Sequence, residues 1–79
     1  MANVILKKEL RFIDVANDVY KFYDIEVVSV GYNQLQVIFH YGKAGTKGTT
    51  SVFSSNSFKE AMAKAYSKFH EKKVEGYEE

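Results

Sequence analysis

Apolar and polar side chains alternate along residues 4–14, 20–30 and 35–41, so that each stretch has one apolar and one polar face. A period of two is typical of strands that are half buried in a sheet. A shorter run at 49–54, rich in Thr, Ser, Val and Phe, favours a further strand. Turn-forming residues separate these stretches, at 16–18, at 31–33 and between three glycines from 42 to 48.

The last part of the chain has the period of a helix. Ser57 and Glu60 form a capping box, in which the Ser57 hydroxyl accepts from the Glu60 amide and the Glu60 carboxylate reaches back to the Ser57 amide. An apolar stripe follows at steps of four, three and four, made by Phe58, Met62, Ala65 and Phe69. Lys72 and Lys73 suit the last turn, and Gly76 is typical of a helix end. Strands followed by one helix predict an α+β fold: an antiparallel meander of four to five strands with one C-terminal helix packed on one face.

Composition limits the class of protein. The 79 residues, with 46% apolar content, six Phe and six Tyr, suffice for a single domain over residues 1–79 and argue against a disordered chain. The chain has no cysteine, which excludes disulfides and thiolate metal sites. The N-terminal segment does not fit a signal peptide, and no apolar run has the length of a membrane span. We therefore expect a soluble, cytoplasmic protein.

The eleven basic and ten acidic residues give a formal charge of +1, so any anion binding must come from a local patch. The richest segment is HYGKAGTKGTT at 40–50. Its glycines allow left-handed backbone and exposed amides, its lysines can meet phosphate, and its tyrosine can stack on a nucleotide. The same composition also fits an ordinary glycine-rich hairpin with solubilising lysines. The predicted nucleic-acid contacts are Tyr41, Gly42, Lys43, Gly45, Thr46, Lys47, Gly48 and, on the second strand, Lys21.

Other polar groups give weaker indications of a site. His40 and His70 lie on different elements without a converging ligand set, so no metal is predicted, and His40 is expected on the solvent side of its strand. Asp24 and Glu26 share a strand face, where we expect them to be solvated and paired with lysines across the sheet. No nucleophile motif, catalytic residue or cofactor site is indicated, so we expect no enzyme.

Lysines also recur at steps of four along the predicted helix, forming a ridge of Lys64, Lys68 and Lys72. Such a ridge could follow phosphates. Acidic residues on adjoining turns offset its charge, namely Glu60, Glu71 and Glu75. We therefore expect a solvated helix face there.

The order of these segments resembles the WGR family, a module of DNA-dependent poly(ADP-ribose) polymerases and of short bacterial proteins. The leucine-rich opening strand and its acidic residue fall on LRFID at 10–14, and the lysine–aromatic–tyrosine step falls on KFYDIE at 21–26. The signature Trp-Gly-Arg-x-Gly-x-x-Gly falls on YGKAGTKG at 41–48. The closing lysine and Gly-Tyr step falls on KVEGY at 73–77. The stand-alone bacterial form is the most similar arrangement.

The resemblance implies roles for two residues. The signature tryptophan of the polymerases stacks on the sugar at a DNA end, and the arginine bridges DNA and neighbouring domains. Tyr41 and Lys43 occupy these positions; a tyrosine can still stack, whereas a lysine lacks the bidentate guanidinium contact. Together with the loop composition, this predicts a nucleic-acid-binding module, for DNA, with weak and non-specific phosphate contacts. The alternative is a protein-interaction module that binds another protein and no nucleic acid.

Overall fold

The computed structural model describes residues 3–79. Its elements are β1 (Asn3–Asp14), β2 (Val19–Gly31), β3 (Gln34–Lys43), β4 (Thr49–Ser55) and α1 (Phe58–Glu75). The strands form one antiparallel sheet in the order β1-β2-β3-β4, and α1 packs on one face of it. The predicted α+β meander is confirmed, with four strands. The one helix of the described residues is too polar to cross a membrane.

The core lies between α1 and one face of the sheet, as the alternation predicts. In the middle of β2 and β3, over 23–27 and 35–39, every second residue is buried, and cross-strand partners such as Tyr23 with Tyr41 and Ile25 with Phe39 share that face. The helix contributes small residues at its closest approach, which lets it lie near the strands. The buried cluster comprises Leu10, Tyr23, Ile25, Val27, Leu35, Val37, Phe39, Ala61, Ala65 and Phe69.

The N-terminus of α1 differs in one contact from the predicted capping box. The Ser57 hydroxyl accepts from the Glu60 amide at 3.2 Å, as expected. The Glu60 carboxylate does not reach the Ser57 amide, because the Ser55 hydroxyl lies between them. Ser55 Oγ accepts from the Ser57 amide at 3.0 Å and donates to Glu60 Oε1 at 2.7 Å. The end of β4 is thereby tied to the first turn of the helix.

The apolar stripe of the helix also begins later than predicted. Phe58 is 57% exposed, so its assignment to the packed stripe is wrong. The buried positions are Ala61, Ala65 and Phe69, a row of i, i+4, i+8 neighbours, and Met62 packs beside them. The first helical residue therefore lies beyond the part of α1 that covers the sheet.

The C-terminus of α1 returns the chain to the sheet. Gly76 ends the helix in a left-handed conformation with φ 112°, as predicted, and the amides of residues 76 and 77 donate to the carbonyls of Lys73 and Lys72. Glu78 then exchanges two backbone hydrogen bonds of 2.7 Å with Arg11. Between these two points, Tyr77 is held against the sheet. The end of the helix therefore lies beside the first residues of β2 and the last residues of β3, where the glycine loop begins.

Candidate nucleic-acid interface

The base of the β3–β4 loop belongs to the sheet. Strand β3 continues two residues beyond the predicted end at Tyr41, because Gly42 pairs with Phe22 and Lys43 pairs with Lys21. Side chains two residues apart on a strand point to the same face. Lys21, Tyr41 and Lys43 therefore lie with the buried Tyr23 on the helix side of the sheet.

These side chains line a groove between the sheet end and the last turns of α1. The groove has a volume of about 520 Å³ and is open to solvent. Four lysines and three tyrosines dominate its wall. The residues that line it, called here the base groove, are Lys21, Tyr23, Tyr41, Gly42, Lys43, Lys68, Lys72 and Tyr77.

Tyr41 has one covered and one open ring face. Its ring stacks on that of Tyr23, with centroids 5.0 Å apart and planes 12° apart. Its cross-strand partner on the other side is Thr49, an exposed residue at the start of β4. Among residues 3–79, Tyr23 is the one ring stacked on Tyr41. The second face of the Tyr41 ring therefore meets no other ring of residues 3–79, and its cross-strand neighbour on that side is the small side chain of Thr49.

Tyr23 is the buried support of this stack. Its burial is the main reason that its pKa rises from 10.0 to about 12, and the neighbouring Tyr41 hydroxyl and the Glu71 carboxylate raise it further. The phenol therefore stays neutral at any physiological pH. A neutral ring supports the stack without placing a negative charge beside an incoming phosphate.

The helix lysines of the base groove lie over the sheet rather than on a solvated face. The side chains of Lys68 and Lys72 are 31% and 19% exposed, so the prediction of a fully solvated ridge is wrong for these two. Lys72 Nζ lies 4.9 Å from the Tyr23 ring centroid and 5.6 Å from that of Tyr77. These ring contacts turn the lysine stem towards the groove.

The predicted acidic partners are present. Lys68 pairs with Glu71 at 2.9 Å, and Lys72 pairs with Glu75 at 3.2 Å. The hydrogen bond and the charge of Lys68 lower the pKa of Glu71 below its ordinary value. By contrast, the described carboxylates of residues 3–79 include none within ion-pair distance of Lys21 or Lys43. The two strand lysines are therefore the uncompensated cations of the base groove.

The tip of the loop lies outside the lining of the base groove. Gly45, Thr46 and Lys47 are exposed there, and Gly48, also exposed, returns the chain to the sheet. Loop groups satisfy one another: the Thr46 amide and hydroxyl both donate to the Lys43 carbonyl, at 3.1 and 2.7 Å. The Ala44 amide donates to the Tyr20 carbonyl at 2.9 Å. Because these two amides are occupied, they do not add to the predicted row of exposed donors.

Gly48 shows why the loop requires glycine at its return to the sheet. Its φ of 71° lies in the left-handed region, and a Cβ there would meet the Tyr41 carbonyl and approach Phe22 Cζ to 2.8 Å. A side chain would therefore push the loop away from the strand that carries Tyr41. Gly45 also has a left-handed φ, of 87°, but a Cβ at this position would point into open space.

The helix-free face of the sheet holds the other polar groups considered from the sequence. His40 lies there, half-buried, with its ring 5.0 Å from that of Phe22, and its Nε2 shares a hydrogen bond with the Lys47 carbonyl. Asp24 pairs with Arg11 at 2.8 Å rather than with a lysine; Arg11 lies diagonally across β1 and β2, two residues from Glu9, which is directly opposite Asp24. No three His, Asp or Glu side chains of residues 3–79 converge as a metal ion would need.

Sequence reasoning found half of the base groove. It identified Lys21, Tyr41, Gly42 and Lys43, which the structure brings together, but not the lining contributed by Tyr23, Lys68, Lys72 and Tyr77. Two signals for the missing residues were present. Tyr23 and Tyr41 each belong to the apolar row of their own strand, which places both rings on the packed face, and the four-residue step of the lysines places them on one side of the helix.

One of three comparisons with known proteins finds a match. No curated protein and no solved structure matches the chain. The family model of the WGR domain matches residues 7–79, which includes most of β1, the other three strands, the glycine loop, the helix and the returning C-terminus. WGR domains are a nucleic-acid-binding type of module in proteins related to poly(ADP-ribose) polymerases, and they are not catalytic. On this match, which extends over nearly the whole chain, the protein belongs to the WGR domain family.

Proposed function

We propose that this chain is a non-enzymatic module that binds DNA at the base groove. The observation that carries the proposal is the joint placement of an open tyrosine ring and four lysines in one groove at the end of the sheet. A ring for stacking beside cations for phosphate is the combination by which proteins hold nucleic acid without reading its sequence. The family to which the chain belongs supports the same function.

Each residue has a distinct part in the proposal. Lys21 and Lys43 contact phosphate, since they lie side by side on neighbouring strands and have no carboxylate partner among residues 3–79. Tyr41 offers its second ring face to a base or sugar, and Gly42 contributes to the groove lining beside it. The rest of the loop, Gly45, Thr46, Lys47 and Gly48, gives a smaller contribution from exposed backbone and one ammonium group.

Few cations imply weak binding. A protein that neutralises a handful of phosphates binds DNA with a dissociation constant on the order of 10⁻⁴ to 10⁻⁶ M, and each phosphate contact adds about 0.9 to the slope of log K against log salt for a duplex. We expect binding of this strength at low salt and little dependence on base sequence, because the base groove holds no bidentate arrangement for base edges.

Fluorescence anisotropy with labelled DNA tests the proposal, at two salt concentrations and with a matched pair of variants. Lys43→Gln removes a cation from the base groove, whereas Lys47→Gln removes one from the tip of the same loop. We expect Lys43→Gln to weaken binding several-fold and to lower the salt slope for a duplex by about 0.9, the value for one phosphate. Lys47→Gln should change affinity less than twofold. An absence of micromolar binding by the parent protein to both single-stranded and duplex DNA at low salt contradicts the proposal and favours the protein-interaction alternative.

A further inference from the structure

The base groove continues along the same side of α1 towards β4. A second depression of about 350 Å³ shares Tyr23, Tyr41 and Lys68 with the base groove. Its remaining lining comes from the outer half of the sheet and from one helix lysine, namely Phe39, Ser51, Val52, Phe53 and Lys64. Because the two depressions share three wall residues, they form one path, called here the extended groove, that passes over the Tyr41 ring.

One wall of the extended groove is a row of lysines. Lys64, Lys68 and Lys72 follow one another at steps of four residues, which is about 6 Å along the helix axis for each step. Lys64 Nζ lies 5.1 Å from the ring centroid of Phe53, and Lys72 Nζ lies 4.9 Å from that of Tyr23. Both ends of the row are therefore turned towards the sheet. Successive phosphates of one extended nucleic-acid strand recur at a comparable spacing.

The floor of the extended groove is formed by rings and small polar residues. Tyr41 has its open ring face towards Thr49, and the next helix-side residues of β4 are Ser51 and Phe53. Phe53 is half-buried beneath Lys64. An aromatic floor beside a cationic wall is the arrangement that binds single strands, because unpaired bases stack on the rings while the backbone follows the cations.

We infer that the extended groove binds single-stranded DNA, with phosphates along the α1 lysines and a base on the open face of Tyr41. This inference rests on the proposed function and specifies its ligand. A duplex keeps its base faces stacked inside and could offer the Tyr41 ring only its terminal pair. A single strand exposes every base face, and one strand can therefore use the lysine wall and the Tyr41 face together.

The ion pairs on the helix do not prevent this mode of binding. Glu71 and Glu75 partner Lys68 and Lys72 from exposed positions, where such pairs contribute little and can exchange for phosphate. Lys64 has no carboxylate of residues 3–79 within ion-pair distance. We therefore expect Lys64, which lines the second depression, and Lys68, which lines both depressions, to distinguish single-stranded from duplex ligands.

The test is a pair of anisotropy titrations with a labelled oligothymidine and with a blunt duplex of the same strand length, at one low salt concentration. We expect the single strand to bind about tenfold more tightly. The double variant Lys64→Gln/Lys68→Gln should abolish most of this preference. When the titrations are repeated at a second salt concentration, the salt slope of the double variant for the single strand should be lower than that of the parent protein. The expected decrease is about 0.7 for each phosphate that is no longer neutralised. Lys59→Gln/Lys73→Gln is the matched control, because it removes the same two charges from α1 and neither lysine lines either depression.

The outcomes separate this inference from the proposed function. Duplex binding that equals or exceeds single-strand binding overturns the inference and leaves DNA binding in place. Single-strand affinity that falls equally in Lys64→Gln/Lys68→Gln and in the control Lys59→Gln/Lys73→Gln also overturns it, since the loss would then reflect net charge alone. Failure of both probes to bind overturns the proposed function itself. Far-ultraviolet circular dichroism of each variant verifies that the fold is retained.

Discussion

The base and the tip of the β3–β4 loop carry similar residues in different surroundings. At the base, Lys43 is paired in the sheet beside Lys21, and both face an aromatic groove that the helix closes on one side. At the tip, Lys47 is exposed and its carbonyl is bound to His40 on the opposite face of the sheet. Lysine content alone therefore does not define the site; the neighbouring rings and the helix wall do.

The same contrast applies to the glycines of the loop. Gly48 returns the chain to the sheet beneath the Tyr41 carbonyl, whereas Gly45 turns in open solvent. The base is constrained by close packing and the tip by backbone conformation alone. Substitutions at the base should consequently affect both stability and binding, and substitutions at the tip should affect little beyond local backbone energy.

The largest stability effect is expected from Gly48→Ala. A left-handed residue other than glycine costs about 1–2 kcal/mol, and the contacts with Tyr41 and Phe22 add to this, so we expect a loss of about 2–3 kcal/mol. Gly45→Ala is the control, with a loss of about 1 kcal/mol because only the backbone term applies. Urea denaturation measures both. Equal losses in the two variants would contradict the difference between base and tip.

Alkaline pH should lower the free energy of unfolding through Tyr23, which supports the base of the loop. Its pKa is about 12 in the folded protein against 10.0 ordinarily, so the unfolded chain loses this proton first. The contribution of Tyr23 to the free energy of unfolding is fully present below pH 10 and is lost as pH rises from 10 towards 12. The total loss is on the order of 2 kcal/mol. Unfolding free energies across this range, compared with those of Tyr23→Phe, measure the effect. A parent protein and a variant with the same pH slope would contradict it.

Removal of the Tyr41 ring should reduce DNA binding with little change of fold. Tyr41→Leu keeps an apolar side chain beside Tyr23 but has no ring for stacking, and we expect about a tenfold loss of affinity for a single strand. Tyr32→Leu is the control, because Tyr32 is 93% exposed at the β2–β3 turn, far along the strands from the base groove. Anisotropy titrations compare the two. A similar loss in both variants would contradict the prediction, because the loss would then not come from stacking in the base groove.

The smallest effect is expected from Glu71→Gln. This substitution frees Lys68 from its 2.9 Å ion pair and removes a negative charge from the rim of the base groove. Affinity for DNA should rise about twofold, since exposed ion pairs are weak. Glu26→Gln makes the same charge change on the helix-free face of the sheet. If it raised affinity as much as Glu71→Gln, the effect would be one of net charge and not of the groove.

The fold was more accessible from the sequence than the site. Alternation along each strand and the signals at Ser57 and Gly76 predict the elements, because period, capping and turn chemistry are local. Phe58 and Glu60 were misassigned because their partners depend on where β4 ends relative to α1. Likewise, the direction in which the helix lysines face depends on how α1 crosses β2 and β3. Such relations are tertiary, and no short window of sequence contains them.

The most direct test of DNA binding at the base groove is an NMR titration of the isotopically labelled protein with oligothymidine, following backbone amide shifts. We predict that the largest changes occur at Tyr41, Gly42, Lys43 and Lys68, with smaller changes at Lys47. The residues of the helix-free face, such as Arg11, Asp24 and Glu26, should change little. Changes centred on that face or confined to the loop tip would contradict the account.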